Sequence, residues 1–124
     1  MIVRLWRTGI DPARLADYER FERTTALEMF RKQPGFLGIL FLRAGSECQT
    51  LTLWTDAAAV AAMTASASYK ETVCCLLEMD LLRGEQTVEM FTGVGGELDP
   101  AALLEYFNGQ KKVARCAFNT GQNI

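Results

Sequence analysis

Apolar and polar positions alternate along Ile2–Thr8, with Val3, Leu5 and Arg7 on one side and Ile2, Arg4, Trp6 and Thr8 on the other. A period of two predicts a strand. Gly9-Ile10-Asp11-Pro12 reads as a turn into a helix, because Asp11 suits an N-cap and Pro12 the first helical position. From Ala13 to Gln33 the period changes. Leu15, Tyr18, Phe21 or Glu22, Thr25, Met29 and Phe30 recur at helical steps, while Asp17, Glu19, Arg20, Arg23 and Lys32 take the outer side. The carboxylates Glu19, Glu22 and Glu28 read as a solvated face rather than an acid/base pair. Pro34 and Gly35 end the helix.

Pro34–Asp56 then predicts a hairpin between two helices. Phe36–Arg43 is a nearly continuous apolar run, expected to be covered on both faces. Ala44–Glu47 makes the turn. In Cys48–Trp54 the faces separate, Leu51 and Leu53 against Thr50, Thr52 and Trp54. Asp56 caps an Ala-rich helix of high intrinsic propensity, and the Thr64–Ser68 run interrupts it. Ser68–Leu82 forms a second helical piece, stopped by Arg83-Gly84. Glu85–Thr92 alternates again as the last strand, with Val88 and Met90 opposite Thr87, Glu89 and Phe91.

The order strand–helix–strand–strand–helix–strand predicts an α+β fold. It is the ferredoxin-like split βαβ arrangement, a four-stranded antiparallel sheet with helices on one face. Right-handed crossovers put the first and third strands at its centre. The other face, carrying Val3, Leu5, Leu51 and Leu53, is aliphatic and predicts an association surface. A homodimer packed sheet against sheet is therefore expected. Residues 1–93 form this domain. Residues 94–124 form an appendage, with a hinge at Gly93–Gly96, a helix at Ala101–Asn108 capped by Asp99-Pro100 and ended by Gly109, and a tail. The tail is expected to dock on its own chain or on a partner subunit through Val113, Cys116 and Phe118. The glycine stretch does not match a dinucleotide loop, since Leu98 stands at the third glycine position and Glu97 and Asp99 repel phosphate.

Composition narrows the chemistry. The 124 residues suffice for one domain with its own core. The net charge of −2 and the lack of a basic cluster argue against a nucleic-acid or anionic-membrane partner. The opening MIVRLWRT reads as neither a signal peptide nor a membrane span, so the expected location is cytoplasmic. Cys48, Cys74, Cys75 and Cys116 have no CxxC spacing and read as reduced, small buried hydrophobes. There is no histidine, which excludes Ser–His and Cys–His catalysis and most zinc or haem sites. No metal-ligand spacing is visible.

If the aliphatic residues face a partner, then Arg4, Trp6, Thr50, Thr52 and Trp54 face the helices. Two indoles, several hydroxyls and an arginine suit an amphipathic cavity, roofed in part by the small residues Ala57–Ala62. The alternative is a filled core in which Trp6 and Trp54 simply pack and Arg4 pairs with Glu85 or Glu89.

The PGFLG segment, the strand that follows, and TLW ahead of an acidic residue and an Ala-rich helix resemble the antibiotic biosynthesis monooxygenase (ABM) domain family of dimeric α+β barrels. The resemblance covers about residues 1–94. It implies a cavity between sheet and helices and, in one branch, cofactor-independent oxygenation of phenols or quinols. In the haem-degrading branch, an asparagine and an iron-ligating histidine would stand where this chain has Trp6 and Val73, so haem is not expected. The oxygenase branch implies a small aromatic ligand and no cofactor. Arg4 would then stabilise a phenolate, Tyr69 would hydrogen-bond a carbonyl, and Trp6, Trp54 and Phe41 would stack on rings, with Thr52 also on the wall. No general base stands out; Glu89 is considered, but on an unfavourable face. A binding protein without turnover, and a structural dimer module with a filled cavity, are the alternatives.

Overall fold

The computed structural model of the protein describes residues 1–110. The chain divides into two compact units, Met1–Val94 and Gly95–Ile124, each described by itself. In the first unit, strand β1 (Ile2–Ile10) leads through a short 3-10 turn (Pro12–Arg14) into helix α1 (Leu15–Phe21). A π-helical turn (Glu22–Ala26) joins α1 to α2 (Leu27–Arg31). Strands β2 (Phe36–Ala44) and β3 (Glu47–Trp54) follow, then α3 (Ala57–Ala65), α4 (Ala67–Glu78) and β4 (Leu82–Thr92). The four strands form one antiparallel sheet in the order β2-β3-β1-β4, with β1 and β3 central. This is the split βαβ arrangement expected from the sequence.

The β1–β3 register places Ile2, Arg4, Trp6 and Thr8 opposite Trp54, Thr52, Thr50 and Cys48. These residues share the face that the helices cover, where Arg4, Thr8, Thr50 and Thr52 are buried with Cys48 and Trp54. The core beneath the helices adds Tyr18, Phe21, Met29 and Phe30 from the long helix and Val60, Met63 and Leu76 from α3 and α4. Phe30 and Phe36 meet the Trp54 ring edge-on, at centroid distances of 6.3 and 5.8 Å. Asp11 and Asp56 cap as expected, accepting from the amides of Ala13 and Ala59 at 3.1 and 2.8 Å. Ser66 closes α3 and caps α4, its hydroxyl accepting from the Tyr69 amide.

Several expectations are corrected. The strand β2 is a sheet edge, and within the single chain Leu37 and Leu40 are 54% and 40% exposed. Arg83-Gly84 does not stop the second helix. Asp80, in the left-handed conformation (φ 54°), lies just past its end, and Arg83 and Gly84 belong to β4, where the register with β1 shifts between Arg7 and Gly9. Asp tolerates that conformation better than most residues. Cys74 and Cys75 are exposed thiols, not buried hydrophobes; Cys48 alone of the described cysteines is buried. The outer sheet face leaves Val3, Leu5, Leu51 and Leu53 partly exposed beside Leu40 and Phe91.

In the second unit the chain is helical from residue 100 to residue 110, the last described, so Gly109 does not end this helix, α5. The Asp99 carboxylate accepts from the Ala102 amide at 3.0 Å. Leu103, Leu104, Tyr106 and Phe107 are all exposed. The tail Lys111–Ile124, with Val113, Cys116 and Phe118, lies outside the described residues. Among the described residues no helix is long and apolar enough to cross a membrane.

Gly35 holds the junction between α2 and β2. Its φ is +82°, and a Cβ there would lie 2.6 Å from the Ala59 Cβ and 2.7 Å from the Thr55 hydroxyl oxygen. Gly35→Ala therefore incurs both left-handed strain and overpacking and should cost about 2–4 kcal/mol. Urea denaturation measures this, and unchanged stability would contradict the junction geometry.

Candidate functional site

A cavity of about 90 Å³ opens between the sheet and the helices. Its floor is Arg4 and Trp6 from β1, Phe41 from β2 and Thr50 from β3. One wall is the long helix, with Tyr18, Phe21, Glu22, Ala26, Met29 and Phe30. The other is α4, with Tyr69, Thr72, Val73, Leu76 and Leu77, and Leu82 and Gln86 of β4 complete it. The exposed residues Leu77 and Gln86 and the half-buried Thr72 mark its mouth.

Of the residues singled out by sequence, Arg4, Trp6, Phe41 and Tyr69 come together on this lining. Thr52 and Trp54 do not. Both are fully buried on the same sheet face beside the cavity, where the Trp54 indole N–H donates to the Thr52 hydroxyl at 2.8 Å and that hydroxyl donates on to the Arg4 carbonyl at 3.5 Å. The polar groups of that pair satisfy one another and leave none for a ligand. Arg4 does not pair with Glu85 or Glu89. Its guanidinium donates to the Tyr69 hydroxyl at 3.1 Å and stands 5.7 Å from the ring centroid. Glu89 lies on the outer face, 3.3 Å from Arg7.

The group that sequence reading missed is Glu22. It is no part of a solvated face: it is 3% exposed and lines the cavity. It continues the inward stripe four residues after Tyr18, and a π-helical turn begins at it. The Leu27 amide reaches back five residues to the Glu22 carbonyl, and the extra residue in the turn moves the next inward position from Thr25, which is exposed, to Ala26, which is buried. Such turns often occur at functional sites. One Glu22 oxygen, Oε1, accepts from the Arg43 guanidinium of β2, which also lies over the Tyr18 ring at 5.1 Å. The other, Oε2, is buried with no protein partner, as is the Arg43 Nε.

Burial pushes the Glu22 carboxyl above its usual value, against the opposing pull of Arg43. Burial and the adjacent Glu22 charge likewise push the Tyr18 phenol up. A buried carboxylate with one occupied and one free oxygen can accept a hydrogen bond or a proton from a bound molecule. Opposite it in the lining, Arg4 and Tyr69 supply donors. Among the described residues no three His, Cys, Asp or Glu side chains gather as a metal site.

Against known proteins, no family model matches the chain and no curated sequence does. Solved structures do match. The chain has the ferredoxin-like fold of antibiotic biosynthesis monooxygenase (ABM) domain proteins, with helices on one face of the sheet. A protein of Caulobacter crescentus provisionally named as such a monooxygenase superposes with a TM-score of 0.66 at 18% identity, over 76% of this chain and 90% of that one. SnoaB of Streptomyces nogalater, a cofactor-independent oxygenase, superposes at 0.63 with 21% identity, over 79% and 97%. A third structure, of an antibiotic biosynthesis monooxygenase, gives 0.63 at 18% identity over 77% of this chain and all of that one.

The Glu22–Arg43 pair predicts a graded response to substitution. Glu22→Ala strands a guanidinium whose side chain is only 25% exposed, and should cost about 2–4 kcal/mol, somewhat less than a fully buried broken pair. Glu22→Gln keeps an amide oxygen for Arg43 and should cost less. The raised carboxyl binds its proton more tightly in the folded chain. Its contribution therefore favours folding below the ordinary value of 4.5 and is lost as pH rises through the folded value. Denaturation of both variants across that acid window tests the pair. Equal costs, or a pH slope unchanged in Glu22→Gln, would contradict it.

Proposed function

We propose that this protein is a cofactor-independent monooxygenase of an aromatic phenol or quinol, held in the cavity between sheet and helices. The observation that carries the reading is the lining itself, in which an arginine–tyrosine pair and a buried carboxylate share one aromatic and aliphatic pocket. The description of SnoaB as a cofactor-independent oxygenase, on the same fold, supports the same reaction class.

The size of the cavity constrains the ligand. Drug-sized sites enclose roughly 300–1,000 Å³. About 90 Å³ is small beside that range and suits a single ring, so larger substituents extend through the mouth at Thr72, Leu77 and Gln86. For a phenol with an unsubstituted para carbon, the balanced reaction is phenol plus O2 giving quinone plus water. The ring supplies all four electrons, one oxygen atom becomes the new carbonyl, and the other leaves as water. The protein's part is to favour the electron-rich phenolate and keep water from the radical or carbanion that follows. Arg4 does the first electrostatically, through a ring-conjugated oxygen that it holds, and the apolar wall does the second.

We also propose that two copies pair through the outer sheet face, covering Val3, Leu5, Leu51 and Leu53. The unpartnered aliphatic surface supports this.

Oxygen uptake over a panel of monocyclic phenols and quinols tests the function, with quinone appearing in step with oxygen loss. Arg4→Met should lower kcat/KM by about 100-fold or more, the size expected for removing one electrostatic donor. Ring binding without oxygen consumption would make the protein a carrier and overturn the oxygenase reading. For the assembly, Leu5→Asp or Leu53→Asp places an unpaired charge at the proposed contact and should yield folded monomers in sedimentation. A dimer that survives either change would show that the copies do not meet there.

A further inference from the structure

Glu22 is a charged side chain almost wholly removed from solvent, on the wall of a cavity, with half of its acceptor capacity unused. The Arg43 guanidinium occupies Oε1 and fixes the carboxylate, while Oε2 has no partner in the protein. Leaving a buried acceptor unsatisfied costs about 1–3 kcal/mol, more when it is charged. A ligand that donates to it recovers that cost. The same cavity presents Arg4, which has only donors, with one of them on the Tyr69 hydroxyl. Acceptor and donor thus stand in one small, largely apolar space.

We propose that Glu22 is the specificity-determining acceptor of this site: the cavity selects an aromatic ring that bears a free hydroxyl, donated to Glu22 Oε2, together with a second, accepting oxygen held by Arg4. The inference rests on the proposed function and narrows its substrate class. Phenols carrying a carbonyl or a second oxygen substituent are favoured over simple arenes and over their O-methyl ethers. Arg43 is a positioning residue, because it touches the carboxylate and lies outside the cavity lining. The π-helical turn starts at Glu22 and sets the phase of the wall beyond it.

The test compares 4-hydroxyacetophenone with 4-methoxyacetophenone by calorimetric titration at neutral pH. The two probes share the ring and the carbonyl and differ in the hydroxyl proton. The wild-type protein should prefer the hydroxy probe by about 10- to 100-fold, the range of a hydrogen bond to a charged group. In Glu22→Gln the preference should fall below about threefold, while Arg4→Met should weaken both probes together and leave their ratio intact. A wild-type protein that does not discriminate, or that binds neither probe, overturns the proposal, as does a folded Glu22→Gln variant that keeps the full preference. Should that variant fail to fold, carboxyl-labelled wild-type protein decides by NMR: the Glu22 side-chain carbon must shift with the hydroxy probe and not with the methoxy one. The two readings fail separately. Hydroxyl-selective binding without oxygen uptake removes the oxygenase and leaves Glu22's role standing. Turnover of phenols with unaltered selectivity in Glu22→Gln does the reverse.

Discussion

The parity of the β1–β3 pairing is the constraint on which the rest of this molecule depends. Trp6 opposite Thr50 and Arg4 opposite Thr52 put the mixed polar and aromatic residues under the helices, and leave Val3, Leu5, Leu51 and Leu53 outside. A slip of one residue would exchange the two faces. The aliphatic face would then pack against the helices as an ordinary solid core, and the arginine and indoles would meet water. The buried ladder resists such a slip. The Trp54 N–H, the Thr52 hydroxyl and the Arg4 carbonyl form a chain of hydrogen bonds that crosses from β3 to β1 and exists only in this register.

With the register set, charge becomes the main difficulty of the covered face. Arg4, Arg43 and Glu22 all lie on it or against it, and desolvating any one alone would be costly. The solution pairs them from different elements: Arg43 of β2 with Glu22 of the π-helical turn, and Arg4 of β1 with Tyr69 of α4. The pairing is incomplete in one place, at Glu22 Oε2. Native structures satisfy most buried polar atoms, so a free carboxylate oxygen beside a cavity marks where a ligand completes the structure.

Much of the fold was legible in the sequence. The period-two and helical patterns gave the elements, and the order of elements gave the topology. Asp11, Asp56 and Gly35 marked helix ends through local chemistry that tertiary contacts do not override. The errors have physical causes. Arg83-Gly84 suggested a helix stop, but Asp80 takes the left-handed position and the glycine falls within β4. The site was half legible. Arg4 and Trp6 followed from strand parity, and Phe41 and Tyr69 from the resemblance to the ABM family. Thr52 and Trp54 did not reach the lining, because hydrogen bonds between side chains cannot be read from a pattern. Glu22 reads with Glu19 and Glu28 as solvated, because a carboxylate is seldom buried without a partner. A signal was nonetheless present: Glu22 stands four residues after Tyr18 on the inward stripe, and Arg43 shares the parity of Phe41. Opposite charges at two inward positions of neighbouring elements imply a buried pair.

The space between Arg4 and Glu22 takes a small oxygenated ring, while the Trp54 indole beside it stays bonded to Thr52. The two indole N–H signals of the protein report on this directly in a proton–nitrogen NMR titration with 4-hydroxyacetophenone. The account predicts that the Trp6 signal, on the cavity floor, shifts progressively to saturation, and that the Trp54 signal, tied to Thr52, moves little. Shifts confined to Val3, Leu5, Leu51 and Leu53, or no shift at Trp6 with ligand in large excess, would contradict it.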